Sequence, residues 1–335
     1  VDATTGTAFA AAPLPAPRAE RAIARPRLCD AIESSAAPIV WVAAPAGAGK
    51  TLGVARSVAA RAANGTVLWY EVDDEDRDPG TLVAELGLAL SERDRSRTPP
   101  QLAPVPAFAQ RQEARRLFEL LLGPRRGPLT VVLDNLQAAD DAPGFVAIAG
   151  GLFEAFARGA PLGSKLIVTS RRAPPRELSR MVVEGAIEVL EPDLLRLDQA
   201  EMETLLLALA PKARTARGRS AAELLGWSDG WVVAAVMLAR QAVSGNARLA
   251  PATPEAFGQY LSSELFERLP REVRHALELL AFFPRATAQQ LAQLRPELGF
   301  EDLAARVAEL GMPHTVEEDG SLKLHDLVRE RLRDE

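Results

Sequence analysis

Cysteine is almost missing from these 335 residues, with Cys29 the single one. That excludes an intrachain disulfide and a cysteine-built metal cluster, and it fits a reducing compartment. Histidine is nearly as scarce: His275, His314 and His325 are the full set, and their spacing is not that of close metal ligands. A long apolar run is lacking too. The longest strongly apolar stretch, Trp231 to Ala239, falls far short of the ~20 residues a membrane-spanning helix needs. The Ala/Pro-rich opening, Val1 to Pro17, has neither the basic start nor the sustained apolar centre of a signal peptide. We expect no membrane span, a cytoplasmic location and a disordered lead-in over residues 1–20. No methionine begins the sequence, which is consistent with a fragment.

What is present is an ordinary globular composition, 47% hydrophobic and 25% charged, long enough for two or three domains. Net charge is −6, and its placement is uneven. From Glu255 to Glu335 there are 10 Lys/Arg against 16 Asp/Glu, while the remainder balances. A segment that grips nucleic acid is expected to be basic, so direct nucleic-acid contact is not expected from this one.

The first two-thirds alternate short apolar runs with longer helical patterns, the signature of an α/β domain with a parallel sheet. Expected strands are Ile39–Ala43, Val67–Val72, Thr130–Leu133, Leu166–Ser170 and Ile187–Leu190. All are short, β-branched or apolar in the main, and bounded by turn or polar residues, as in strands buried on both faces. Helical patterns occupy Thr51–Ala63, Leu82–Ser91, Phe108–Leu122 and Phe145–Phe156. After Glu191-Pro192 the strands stop, and Glu201–Leu209, Ala221–Leu225 and Trp231–Ala242 suggest a helical domain. Ser244–Pro254 has the composition of a linker. Helices follow near Ala256–Leu269, Arg271–Phe282, Thr287–Leu294 and Glu301–Leu310. Val316 and Leu322/Leu324 flank a polar turn that suggests a small hairpin, and a last helix starts at His325. The expected division is 1–20 lead-in, 21–191 nucleotide-binding domain, 192–250 helical domain and 251–335 winged-helix domain.

The chemistry starts at Pro45-Ala46-Gly47-Ala48-Gly49-Lys50-Thr51, followed by Leu52. A strand feeding a glycine turn that opens a helix is the context of a phosphate-binding P-loop. Glycines let successive backbone N–H groups converge on an anion, and the helix N-terminus adds its dipole. Lys50 would reach the β- and γ-phosphates, and Thr51 would set its hydroxyl on Mg²⁺. The first glycine of the G-x-x-x-x-G-K-T pattern is Ala44 here. The bland alternative is a tight strand-to-helix turn with a solvated lysine.

Further along, Leu129-Thr130-Val131-Val132-Leu133 carries Asp134 at the carboxyl end of a buried strand, where ligands bind in open α/β sheets. Asp134 is the expected second Mg²⁺ ligand. Asn135 stands where hydrolytic P-loop enzymes of the additional-strand class commonly have a carboxylate. An amide cannot take a proton from water at neutral pH, so rapid hydrolysis through it is not expected. The acidic run Asp73-Asp74-Glu75-Asp76 either supplies a substitute base or is a solvated loop. Arg171, at the end of the fourth strand, is expected near the γ-phosphate, where a cation distinguishes ATP from ADP; Arg172 competes for the role.

These stretches, together with Val67-Leu68-Trp69-Tyr70, Gly226-Trp227, Gly230-Trp231 and Leu322-Lys323-Leu324-His325-Asp326, resemble the STAND class of signalling ATPases. More narrowly, they resemble the NB-ARC-like switch core of MalT-like (LuxR-family) transcriptional activators, over about Ile23 to Arg333. The resemblance implies a five-stranded P-loop domain, a helical domain and a winged helix closing over one ATP or ADP. It implies that His325 touches the β-phosphate, with Leu324 where the Met-His-Asp motif has Met. Ile23 and Arg25 would hold the adenine. Gly230-Trp231-Val232 lacks the usual proline of a helical-domain Gly-Leu-Pro. It implies a switch closed by ADP and opened by ATP, reset by slow hydrolysis, with self-association in the ATP state and effector or sensor domains that this chain does not include. The rival readings are a metabolic kinase or motor ATPase, and a DNA-binding protein acting through its winged helix.

Overall fold

The computed structural model describes residues 22–63, 65–92, 106–123, 127–209, 220–244, 269–283, 285–297, 299–309, 314–316, 319–324 and 326–333. The lead-in expected over 1–20, most of the linker and of the helix near Ala256–Leu269, and His325 lie outside them.

Five parallel strands form one sheet: β1 (Ile39–Ala43), β2 (Thr66–Glu71), β3 (Leu129–Asp134), β4 (Lys165–Ser170) and β5 (Ile187–Leu190), in the order β2-β3-β4-β1-β5. One strand, β4, is thus inserted between the strand that feeds the glycine turn and the strand that ends in Asp134. Register pairs Ala43 with Ser170 and Glu71 with Asp134, so the carboxyl ends of β1, β2, β3 and β4 come together at one edge. The strands lie where the sequence places them, within a residue at each end, because β1, β3 and β4 are buried along their whole length and leave no polar periodicity to confuse the pattern.

The two faces of the sheet are covered by different helices. On one, Ile39, Trp41, Leu68, Tyr70, Val131 and Val168 pack against α3 (Pro79–Glu92), α4 (Ala107–Leu122) and α5 (Pro143–Gly159). On the other, Val40, Val42, Trp69, Val132 and Ile167 pack with Leu28 and Ile32 of α1 (Pro26–Ser34) and Val54 and Val58 of α2 (Lys50–Ala59). Alternate residues of the same strand enter opposite cores, the period-2 consequence of the pleat. A short helix, α6 (Ser179–Val183), precedes β5.

A turn at Pro192–Leu195 leads to α7 (Gln199–Leu209), α8 (Ala221–Ser228) and α9 (Val232–Ser244), which share a core of Leu197, Met202, Leu205, Leu224, Ala235 and Leu238. Ser220 caps α8 through a reciprocal box with Glu223. A second helical group follows: α10 (Arg271–Leu280), α11 (Ala288–Leu294), α12 (Phe300–Glu309), the antiparallel pair β6 (His314–Val316) and β7 (Leu322–Leu324), and α13 (Asp326–Arg333). Its core, Val273, Leu277, Leu280, Leu291, Leu303, Leu322 and Val328, is continuous with Trp231 and with Ala46 of the glycine turn. Among the described residues no helix is long and apolar enough to cross a membrane.

Candidate functional site

The glycine turn is built around two left-handed glycines, Gly47 at φ +72° and Gly49 at φ +82°, a conformation a Cβ disfavours. Gly49 is the N-cap of α2, whose first two residues are Lys50 and Thr51. Ala44 does not have positive φ. Its methyl is buried with Ala48, Val42 and Val54, and its N–H donates to the Ser170 carbonyl at 3.1 Å. The departure from glycine at 44 therefore costs no backbone strain and adds apolar contact.

Ala46, Gly47, Gly49, Lys50, Thr51, Leu52, Asp134, Asn135, Gln137, Thr169 and Arg171 together line a cleft of about 250 Å³ at the carboxyl edge of the sheet. The ammonium of Lys50 bends onto the loop itself, donating to the carbonyls of Ala44 at 2.7 Å and Pro45 at 2.9 Å. Burial and the nearby Arg171 cation pull its pKa down to about 8, while the Asp134 carboxylate works the other way. Arg171, next after β4, lines the same cleft. Arg172 takes another course: its guanidinium pairs with Asp140 at 3.0 Å, and its carbonyl accepts from the Trp41 indole.

Asp134 is buried, 3% exposed, and its Oδ1 accepts from the hydroxyls of Thr51 at 3.1 Å and Thr169 at 2.5 Å. A hydroxyl and a carboxylate oxygen meeting at the mouth of a phosphate loop are the hard donors that suit Mg²⁺, which ordinarily takes one or two protein oxygens and completes its shell with phosphate and water. Thr51 and Asp134 fit that requirement. Among the described residues no cluster of three or more His, Cys, Asp or Glu side chains offers an all-protein metal cage.

Asn135 adopts φ +65°, a left-handed conformation that Asn tolerates better than most residues. Its backbone N–H donates to Thr169 Oγ1 at 3.0 Å, and its Nδ2 donates to the Val72 carbonyl at 3.1 Å. Gln137, which sequence reasoning passed over, donates from Nε2 to Asn135 Oδ1 and accepts the Arg171 backbone N–H on Oε1 at 3.0 Å. A Gln two residues after an amide on a strand end carries no recognisable pattern, so its partnership appears only when β3 and β4 are adjacent.

The acidic run is not a uniformly solvated loop. Asp73, Asp74 and Glu75 are exposed, but Asp76 is 1% exposed, and it accepts from Tyr70 Oη at 2.5 Å and the Asp73 N–H at 3.0 Å. Asp73 and Asp76 close a capping box over one turn of 3-10 helix. Burial raises the pKa of both Asp76 and Tyr70. None of the four acids lines the cleft.

Ile23 and Arg25, expected on the adenine side, are not among the residues that line this cleft. Arg25 is 3% exposed; its Nε pairs with Glu201 at 3.1 Å and its Nη2 donates to the Leu195 carbonyl at 2.6 Å. Ile23, like Val232 and Leu206, packs against the α7–α9 core. The buried Arg25 guanidinium needs an anion, and Glu201 of α7 supplies it. Pro45 contributes its carbonyl to Lys50, and Ala48 packs into the core.

The glycine turn is also held from behind. Trp231 Nε1 donates to the Ala46 carbonyl at 2.9 Å, and the Val233 N–H donates to the Gly47 carbonyl at 3.0 Å. A Cβ on Gly47 would come within 2.5 Å of Val233 Cγ1, and one on Gly49 within 3.3 Å of Val232 Cγ2. The start of α9 is thus seated directly on the loop.

No protein-family model matches this chain, and no curated protein matches it. Among solved structures, a Walker-type ATPase of Pyrococcus abyssi is similar over 94% of this chain and 97% of its own, at 16% identity and a TM-score of 0.57. Cdc6p of Pyrobaculum aerophilum matches over 97% of both chains, at 14% identity and a TM-score of 0.42. The RuvB Holliday junction branch migration motor of Thermotoga maritima covers 91% of this chain and 92% of its own, at 14% identity and a TM-score of 0.39. At such identity the first of these supports the fold alone, a P-loop NTPase fold, which in the present chain is a parallel five-stranded sheet followed by helical units.

Proposed function

We propose that the chain binds ATP or ADP with Mg²⁺ in this cleft and works as a nucleotide-controlled switch of the STAND type. In this reading the loop from Ala46 to Thr51 cradles the phosphates, and Lys50 leaves the Ala44 and Pro45 carbonyls to meet them. Thr51 and Asp134 hold the metal, which when bound neutralises phosphate charge, and Arg171 meets the γ-phosphate. Ile23 offers an apolar surface to the base beside Val232, with Arg25 holding that segment against α7. His325, outside the described residues, is assigned to the β-phosphate, and the segment containing β6 and β7 is assigned as the winged helix. A signalling or transcription regulator with effector domains beyond this chain, self-associating in its ATP state, is the setting that the motifs favour.

The observation that carries the reading is the attachment of α9 to the glycine turn through Trp231 and Val233. A loop that reshapes around phosphate cannot move without disturbing the helices bonded to its back. The amide at 135, tied to Val72 and Gln137, leaves hydrolysis without a general base at that position and makes it slow. Moving a two-state equilibrium from 1:99 to 99:1 needs ~5.5 kcal/mol of differential affinity. A few charge-assisted hydrogen bonds to a γ-phosphate, each ~1.5–3 kcal/mol, cover that.

Small-angle scattering on the purified chain with ADP and with a non-hydrolysable ATP analogue tests the proposal. Two distinguishable envelopes are expected. One envelope for both ligands refutes the switch, and steady-state turnover above ~1 s⁻¹ would favour a motor or metabolic enzyme instead.

A further inference from the structure

Asn135 and Gln137 form a hydrogen-bonded chain whose polarity is fixed at both ends. At one end the donor is the Arg171 backbone N–H, so the Gln137 atom facing it must be Oε1. Gln137 Nε2 then faces Asn135 Oδ1, and Asn135 Nδ2 faces the Val72 carbonyl, which can only accept. The path runs from the end of β4, across the end of β3, to the residue just after β2, with an amide at both intermediate positions. A carboxylate at either one would set two acceptors face to face, at Val72 O for residue 135 or at Asn135 Oδ1 for residue 137.

Two further ties converge on the same place. The Asn135 N–H donates to Thr169 Oγ1, and Thr169 Oγ1 donates to the Asp134 carboxylate. Gln137 is half-buried in the cleft wall beside Arg171. Its contact is with the backbone of Arg171, so it governs where that residue's chain leaves the strand.

We infer that Gln137 is a positioning residue for nucleotide discrimination: by holding the Arg171 backbone against Asn135, it sets the arginine at the height of the third phosphate. The inference rests on the proposal that the cleft binds ATP and ADP. It also explains Asn135 as a required link in the chain rather than a lost base. ADP, which does not reach Arg171, is indifferent to the chain, whereas ATP depends on it.

Binding of ATP analogue and of ADP to the full chain, measured by calorimetry for the wild type and for Gln137→Met, Gln137→Glu and Asn135→Asp, tests this. Loss of one net hydrogen bond is worth roughly a factor of five. All three variants are therefore expected to lower the ratio of ATP to ADP affinity by about fivefold or more, with ADP affinity changed less than twofold in the uncharged Gln137→Met. Gln137→Met, which keeps length and bulk, guards against a folding failure, and thermal unfolding checks that it is as well folded as the wild type. A Gln137→Met protein with the wild-type ratio overturns the role, as does equal weakening of both nucleotides. A wild-type chain that binds neither nucleotide, or does not distinguish them, overturns the nucleotide switch itself and the role of Gln137 with it. A gain in ATP hydrolysis in Asn135→Asp would overturn the reading of Asn135 as a link.

Discussion

Lys50 is held by carbonyls alone, and burial together with Arg171 brings its pKa to about 8. A phosphate in its place would favour the charged ammonium, so binding raises that pKa and takes up a proton once the pH passes about 8. Affinity for nucleotide is expected to be flat below that point and to fall as pH rises through it, approaching roughly tenfold per unit. A titration of a fluorescent nucleotide at a series of pH values reads this directly. The free protein should behave in the opposite sense. Its Lys50 pKa is below the unfolded value of 10.5, so the unfolded chain binds the extra proton between about 8 and 10.5, and the contribution of this group to stability rises across that window. Gly47 makes a second point at this scale. Gly47→Ala would meet both the left-handed φ and the Val233 side chain 2.5 Å away, and such combined strain is of order 1–3 kcal/mol. That the glycine turn and Asp134 stand at the carboxyl edge of the sheet was legible from their own residues, because both are contiguous patterns. Gln137 was not, since its bond to Arg171 spans 34 positions and depends on which strands are neighbours.

At the level of elements, the proposed switch turns on the contact of the start of α9 with the glycine turn. Trp231→Phe keeps an aromatic ring among Ala46, Ala234, Val273 and Leu277 but deletes the indole bond to the Ala46 carbonyl. A buried carbonyl left without its donor costs ~1–3 kcal/mol. Hydrogen exchange at the Val233 amide, which donates to Gly47, is therefore expected to speed up at least fivefold in that variant, with β3 amides unaffected. An unchanged rate at Val233 would mean that α9 does not brace the loop. Sequence patterning found the strands and the larger helices because their buried faces are long and uniform. It missed α1, which begins at Pro26 directly after Arg25 and has just two buried side chains, Leu28 and Ile32. It also missed α6, too short to show a period. The partnership of Trp231 with Ala46 spans 185 positions, and a tryptophan in an apolar run reads simply as core.

Across the whole molecule, the segment before α1 is tied to the helices after the sheet by Arg25 and Glu201, both buried. Removing one member of a buried pair strands the other charge, at ~3–5 kcal/mol, whereas replacing both with apolar residues is often close to neutral. Arg25→Ala and Glu201→Ala are each expected to lower the unfolding midpoint clearly, and Arg25→Met with Glu201→Leu to recover most of the loss. Thermal scans of the four proteins decide it. A double variant as unstable as the sum of the singles would mean that the two side chains act separately. The sequence from Glu255 onward carries 10 Lys/Arg against 16 Asp/Glu, a composition that does not favour a polyanion, and its described residues share a core with Trp231.

The continuity of Ala46 with the core around Val273 and Leu277 bears on how this chain can be cut and reused. A shortened version ending after β5 would keep every strand of the parallel sheet and every residue that lines the cleft. It would also lose the donors to two loop carbonyls and bare the apolar bed that Trp231 occupies. Such a piece would carry the full motif and yet hold its phosphate loop in a different shape. Modularity, for this molecule, stops short of the glycine turn.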